Sequence, residues 1–199
     1  MKKILSMFIV VLLISVAFVG CSDDNQQNTN DPSVEENNEG NNENIEKVEE
    51  DTNKQEEQKD YILYLKDKMG PFLVTEVYSI DSNNPKLQEK SLKEIALNDL
   101  ANFEGVKNLV SPLPEGTKIL GLKEDGNTIT VDLSKEFKEN MWKDKQKINI
   151  AIDSIVNTLT YESTDKKVKL TVEGEKIDNI NGVNMNQEFT FDEKYFMDK

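Results

Sequence analysis

From residue 60 onward the apolar positions fall into two rhythms. Tyr61-Ile62-Leu63-Tyr64-Leu65-Lys66 and Phe72-Leu73-Val74-Thr75-Glu76-Val77-Tyr78-Ser79-Ile80 are short runs rich in β-branched and aromatic residues, the signature of strands. Lys68-Met69-Gly70-Pro71 between them carries turn chemistry, so the two runs read as an antiparallel hairpin. Asn84-Pro85 then offers an N-cap and a first helical position. Leu87, Ser91, Leu92, Ile95, Ala96, Leu100 and Phe103 follow at spacings of mostly three and four, which predicts one helix with Gly105 as its stop.

A loop with Pro112 and Pro114 leads to a second hairpin. Its strands are 117–123 and 127–133, joined at Asp125-Gly126, a strong turn signal. Ile129, Val131 and Leu133 alternate with Thr128, Thr130 and Asp132, so one face is predicted to be buried. Ser134-Lys135-Glu136-Phe137 reads as the start of a short helical turn. Ile148, Ala151, Ile152, Ile155, Val156 and Leu159 form a full apolar stripe at helical spacing. A last clear strand places Val168, Leu170 and Val172 inward and Lys167, Lys169 and Thr171 outward, ending at Glu173-Gly174. The tail through Phe189 reads as loop plus a short strand. The order β-β-α-β-β-α-β predicts an α+β domain over residues 60–199, a two-layer sandwich with helices packed on one face of a mixed sheet.

Residues 22–59 change the picture. They hold nine Asn, nine Glu and four Asp, with Val34, Ile45 and Val48 as the only large apolar side chains. Such a segment cannot bury enough apolar surface to offset its ordering entropy, so residues 21–59 are expected to be a disordered acidic linker. As a coil it would span roughly 30–40 Å, more with self-repulsion.

The first residues are an address. Lys2 and Lys3 precede an apolar run from Ile4 to Val19, interrupted only by Ser6 and Ser15, and polar sequence begins right after Gly20-Cys21. This reads as a signal peptide over residues 1–20, since the run is shorter than the roughly 20 residues of a spanning helix. Phe18-Val19-Gly20-Cys21 resembles the lipobox of bacterial lipoproteins. The resemblance implies a diacylglyceryl group on the Cys21 thiol and cleavage before it. Two acyl chains suffice for stable anchoring. The expected location is therefore the extracytoplasmic face of the cell membrane, lipid-anchored.

Charge narrows the chemistry. The 199 residues carry 38 acidic and 24 basic side chains, a net charge of −14, and every basic residue is Lys. An acidic chain without Arg repels a polyanion, which argues against nucleic acid as a partner. Without His there is no Ser-His-Asp or Cys-His relay and no His-ligated zinc. The one cysteine excludes an intramolecular disulfide. No Gly-rich phosphate loop appears. No catalytic residue, metal site or cofactor is assigned.

Several polar groups are candidate sites with a bland alternative beside each. Asp132 and Ser134 could contact a ligand, but an outward strand residue leading into a helix cap is the better reading. Glu124-Asp125-Gly126-Asn127 is too short to supply the six to eight oxygens of a calcium site and reads as a turn. Trp142, beside Met141, could grip a sugar or a partner, or cover one end of the core.

Leu113-Pro114-Glu115-Gly116-Thr117-Lys118-Ile119-Leu120, Asp125-Gly126, Thr130-Val131-Asp132-Leu133-Ser134-Lys135-Glu136-Phe137 and Val168-Lys169-Leu170-Thr171-Val172-Glu173-Gly174 together resemble the GerMN family of sporulation and spore germination. The resemblance covers roughly residues 60–190. It implies an extracytoplasmic, often lipid-anchored domain with a fold similar to small α/β ring-building modules, which pack against copies of themselves or partners. It brings no catalytic residues. The expected function is a membrane-anchored, non-enzymatic binding or assembly module with a protein partner or self-association. The alternatives are a lipoprotein that binds a cell-wall component or small molecule, and an acid-type hydrolase.

Overall fold

A computed structural model describes residues 57–197. The signal peptide, Cys21 and the linker up to residue 56 lie outside the described residues.

The first hairpin forms as its sequence predicts, with strands slightly longer than the apolar runs. β1 (Gln58–Asp67) begins two residues before the expected domain boundary and pairs antiparallel with β2 (Leu73–Asp81). Their register runs without a bulge from Gln58↔Asp81 to Lys66↔Leu73.

The single helix expected after Asn84-Pro85 is two. α1 (Lys86–Glu89) ends at Lys90, whose backbone is extended, and α2 (Leu92–Ala101) starts afresh. Ser91 explains the break: its hydroxyl accepts the Glu94 N–H while the Glu94 carboxylate accepts the Ser91 N–H, a reciprocal capping box. The Ser-x-x-Glu signal was in the sequence, but Ser91 also fits the apolar stripe as a small residue. Ile95, Ala96, Leu97 and Leu100 of α2 are buried.

β3 (Leu109–Val110) pairs with the end of β1. β4 (Ile119–Asp125) and β5 (Thr128–Leu133) form the second hairpin, and Gly126 supplies the positive φ its turn requires. Ile129, Val131 and Leu133 are fully buried, as their alternation predicts. α3 (Glu136–Glu139) is the short helical turn, with Phe137 buried.

α4 (Lys145–Thr160) starts at Asp144, whose carboxylate accepts the Gln146 and Lys147 N–H groups. Its expected stripe is buried throughout, from Ile148 to Leu159. Its opposite side is buried as well: Ile150, Ser154, Asn157, Thr158 and Thr160 are inaccessible. β6 (Lys167–Val172) pairs in parallel with β5 through the α4 crossover. The tail then folds as β7 (Glu175–Lys176), β8 (Asn179–Ile180), β9 (Val183–Asn184) and β10 (Phe189–Thr190).

The class is α+β, with the strands shared between two main sheets. One runs β2-β1-β3; the other runs β10-β6-β5-β4, with β7 also on β6. The main core gathers Leu63, Leu65, Leu97, Leu100, Ile129, Val131, Ile152, Ile155 and Val168 from both sheets, α2 and α4. A satellite core of Tyr64, Leu73, Ile150 and Tyr195, with Phe191 and Phe196 against it, lies beneath the C-terminal segment. Among the described residues no helix is long and apolar enough to cross a membrane.

Candidate functional site

β2 is the longer of the two outer strands of its sheet, and the backbone pattern fixes which of its groups face outward. In an antiparallel ladder, alternate residues point their N–H and C=O to opposite sides. Tyr64 of β1 turns its amide away from β2, to the hydroxyl of Thr158 at 3.2 Å, while Asp67 donates to Phe72 at 3.0 Å. Odd-numbered β1 residues therefore bond β2, and their partners there are Val74, Glu76 and Tyr78. Leu73, Thr75, Val77 and Ser79 present their backbone groups to the far side. Leu73 confirms the sense, donating to the carbonyl of Tyr195 at 2.7 Å. Beyond Leu73, no strand among the described residues pairs with this side of β2.

From Leu73 to Ile80 the edge carries one charge, the exposed Glu76, and no other protection of the usual kinds. Exposed edge strands are normally blunted by charged side chains, above all Lys, by Pro or by a bulge. β2 has no Lys and no Pro, and its pairing with β1 is unbroken. Thr75, Glu76, Val77 and Ser79 are exposed, and Val77 is an apolar side chain left 63% accessible. The strand is held firmly from behind. Tyr78 stacks on Tyr61 with ring centroids 5.8 Å apart, and the Tyr61 hydroxyl donates to Asp99 at 2.5 Å. Burial, and then the bond to Asp99, push the Tyr61 phenol well above its ordinary range. The Ser79 hydroxyl donates to Asp60 across the ladder at 2.7 Å.

The C-terminal segment bounds the edge at one end. Asn157 of α4 grips Asp192 on both sides, accepting its N–H at 3.1 Å and donating to its carbonyl at 2.7 Å. This seats Phe191, Tyr195 and Phe196 around Tyr64 and brings Phe196 beside Leu73. Asp153, one turn before Asn157, is half-buried beneath the same segment. Burial pushes its carboxyl up to about 7, with Asp192 adding to the rise and Lys194 opposing it.

The residues singled out from sequence do not gather here, and most have structural partners. The Asp132 carboxylate accepts from the Thr171 hydroxyl and the Gly174 N–H, both at 2.8 Å, tying β5 to the turn after β6. Ser134 is buried and its hydroxyl accepts the Lys118 N–H at 3.0 Å. Glu124 holds Lys93 and Lys166, each at 2.6 Å, and those bonds keep its carboxyl below the usual range. Both its oxygens are thus taken by ammonium groups. Met141 is buried and Trp142 packs against the main core. The β2 edge itself was missed, because the sequence gives a strand's existence but not which strand lies outermost.

A concave surface borders Thr171, the partner of Asp132. A cleft of about 440 Å³ opens beside β6, lined by Thr130, Lys169, Lys176, Ile177, Met185 and Glu188 among others.

The two sheets and the helices packed on them define a small α+β domain. The family of sporulation and spore germination domains matches residues 62–178, and this chain belongs to it. Two solved structures are similar in fold. The first GerMN domain of the sporulation protein GerM from Bacillus subtilis superposes with a TM-score of 0.52 at 25% identity, covering 66% of this chain and 96% of that one. The tandem GerMN domains of the same protein give a TM-score of 0.52 at 23% identity over 67% of this chain. This chain covers 46% of that tandem structure, about half its length. No curated protein matches the chain.

Proposed function

We propose that this protein is a lipid-anchored module on the extracytoplasmic face of the cell membrane. It works by docking another protein chain during sporulation or spore germination, not by catalysis. The observation that carries this reading is the outer side of β2, unpaired beyond Leu73 among the described residues, a template for strand addition. Cys21 supplies the anchor, and the acidic segment between it and β1 the reach. Family membership supports the cellular process.

The test is photo-crosslinking in sporulating cells, with a photoreactive residue placed in turn at Thr75, Val77 and Lys123. Adducts from the β2 positions and none from Lys123, which lies on the other sheet, are the expected result. Adducts from Lys123 alone would overturn the edge as the working surface. The cleft of about 440 Å³ favours a second reading, a small-molecule or cell-wall ligand, because its volume falls within the usual range of roughly 300–1,000 Å³ for ligand sites. Loss of function on Lys169→Glu with β2 adducts unchanged would support it.

A further inference from the structure

We infer that the chain that docks on β2 is a second copy of this protein, joined by antiparallel β2–β2 pairing about a two-fold axis at Val77. The inference rests on the docking reading above and names its partner.

The strand is self-complementary about that residue. Reading outward from Val77, Glu76 faces Tyr78 of the other copy, Thr75 faces Ser79, and Val74 faces Ile80. Each pair matches in kind: two small hydroxyls, two β-branched apolar residues, and a carboxylate opposite a phenol. No like charges stand directly opposite, which would destabilise a ladder. A two-fold interface uses the same patch on both copies, so a strand must suit its own reverse.

The same residues exclude the neighbouring registers. Outward-facing backbone groups belong to odd-numbered residues, so the pairing can slip only in steps that keep odd residues opposite odd ones. One step in one direction centres the pairing on Glu76 and sets two carboxylates face to face. One step in the other needs the outward carbonyl of Asp81, which already accepts the Asn84 N–H at 2.8 Å. At the other end, the Leu73 N–H is taken by Tyr195. The free window is therefore Thr75–Ser79, and the register centred on Val77 fills it. Thr75, Val77 and Ser79 would exchange about six backbone hydrogen bonds with the other copy. The three strands of each copy would then form one continuous sheet with β2 strands at its centre. So few bonds make a weak contact in free solution. Two chains confined to one membrane surface gain effective concentration, as linked binding partners do.

Cysteine crosslinking of the full-length chain tests this. Hydrogen-bonded antiparallel partners lie about 5.5 Å apart at Cα, inside the roughly 4.4–6.8 Å span of a disulfide. Mild oxidation should convert Val77→Cys to a covalent homodimer. Thr75→Cys alone should stay monomeric, but mixed with Ser79→Cys it should give a heterodimer. The parent chain, whose one cysteine is the lipid-bearing Cys21 of the proposed anchor, should give no dimer. A Val77→Cys adduct to a different protein would overturn the second copy and keep the docking reading. A homodimer from Glu76→Cys but not Val77→Cys would overturn the register. A Val77 thiol that reacts freely with a small alkylating reagent and crosslinks to nothing would overturn both the inference and the docking reading.

Discussion

The hydroxyl of Thr158 accepts a hydrogen bond from the backbone N–H of Tyr64 at 3.2 Å, across 94 residues of chain. One turn earlier on α4, the hydroxyl of Ser154 donates to the carbonyl of the same residue. Two helix side chains thus do for Tyr64 what a neighbouring strand would do. β1 is closed on one flank by α4 and β3 and on the other by β2, so β2 ends this sheet as β4 ends the other. The sides of α4 divide the labour: Ile152, Ile155 and Leu159 fill the main core, while Ser154, Asn157 and Thr158 meet backbone.

Thr158→Val should be costly out of proportion to its size. It removes the acceptor and leaves the Tyr64 amide buried without a partner, which costs about 1–3 kcal/mol. Ser154→Ala should do the same to the carbonyl. Urea denaturation of both single variants and the double variant measures this, with the double falling short of the sum because both act on one residue. Single losses below about half a kcal/mol would show that α4 does not close the β1 flank.

Asp132 should matter for stability rather than for activity. Its carboxylate joins Thr171 and the Gly174 N–H, so Asp132→Ala should lower stability by about 1–3 kcal/mol. A thermal melt scored beside the cellular phenotype decides it. A variant that melts like the parent yet abolishes function would make Asp132 a contact residue.

Asp153 gives the protein a pH dependence of definite sign. In the folded state its carboxyl keeps its proton up to about 7, because it is half-buried with Asp192 nearby and Lys194 only partly offsetting. Unfolded, it ionises near about 4. Between those values the folded state binds more protons, so this group's contribution to stability falls as pH rises through the window and levels off above it. Asp153→Asn should flatten that decline and be relatively more stable at pH 8 than at pH 4. Melts of parent and variant across this range test it, and parallel curves would refute it.

Cys21 should carry the anchor. Cys21→Ser should abolish labelling by a fatty-acid analogue and leave the protein released from membranes or as uncleaved precursor. Labelling that persists in the variant would sink the lipid anchor.

The sequence by itself determined the elements. Alternation at Ile129, Val131 and Leu133, the stripe from Ile148 to Leu159, and turn chemistry at Asp125-Gly126 are each written in neighbouring residues, and each appears in the fold where it was read. The motifs around Pro114, Asp132 and Leu170 carried the family, since a motif survives as a local pattern. Where two local signals competed, sequence reading chose wrongly: the apolar stripe of residues 87–103 outweighed the capping box of Ser91 and Glu94, which ends one helix and starts another. Tertiary structure alone decided that the polar side of α4 is buried, that Asn157 holds the C-terminal segment, and that β2 lies outermost. These depend on partners 35 to 94 residues away, and no local pattern encodes which strand is left without a neighbour. The hydroxyls of Ser154 and Thr158 look like a solvent face in the sequence because a polar side chain reads the same whether water or a distant backbone group satisfies it.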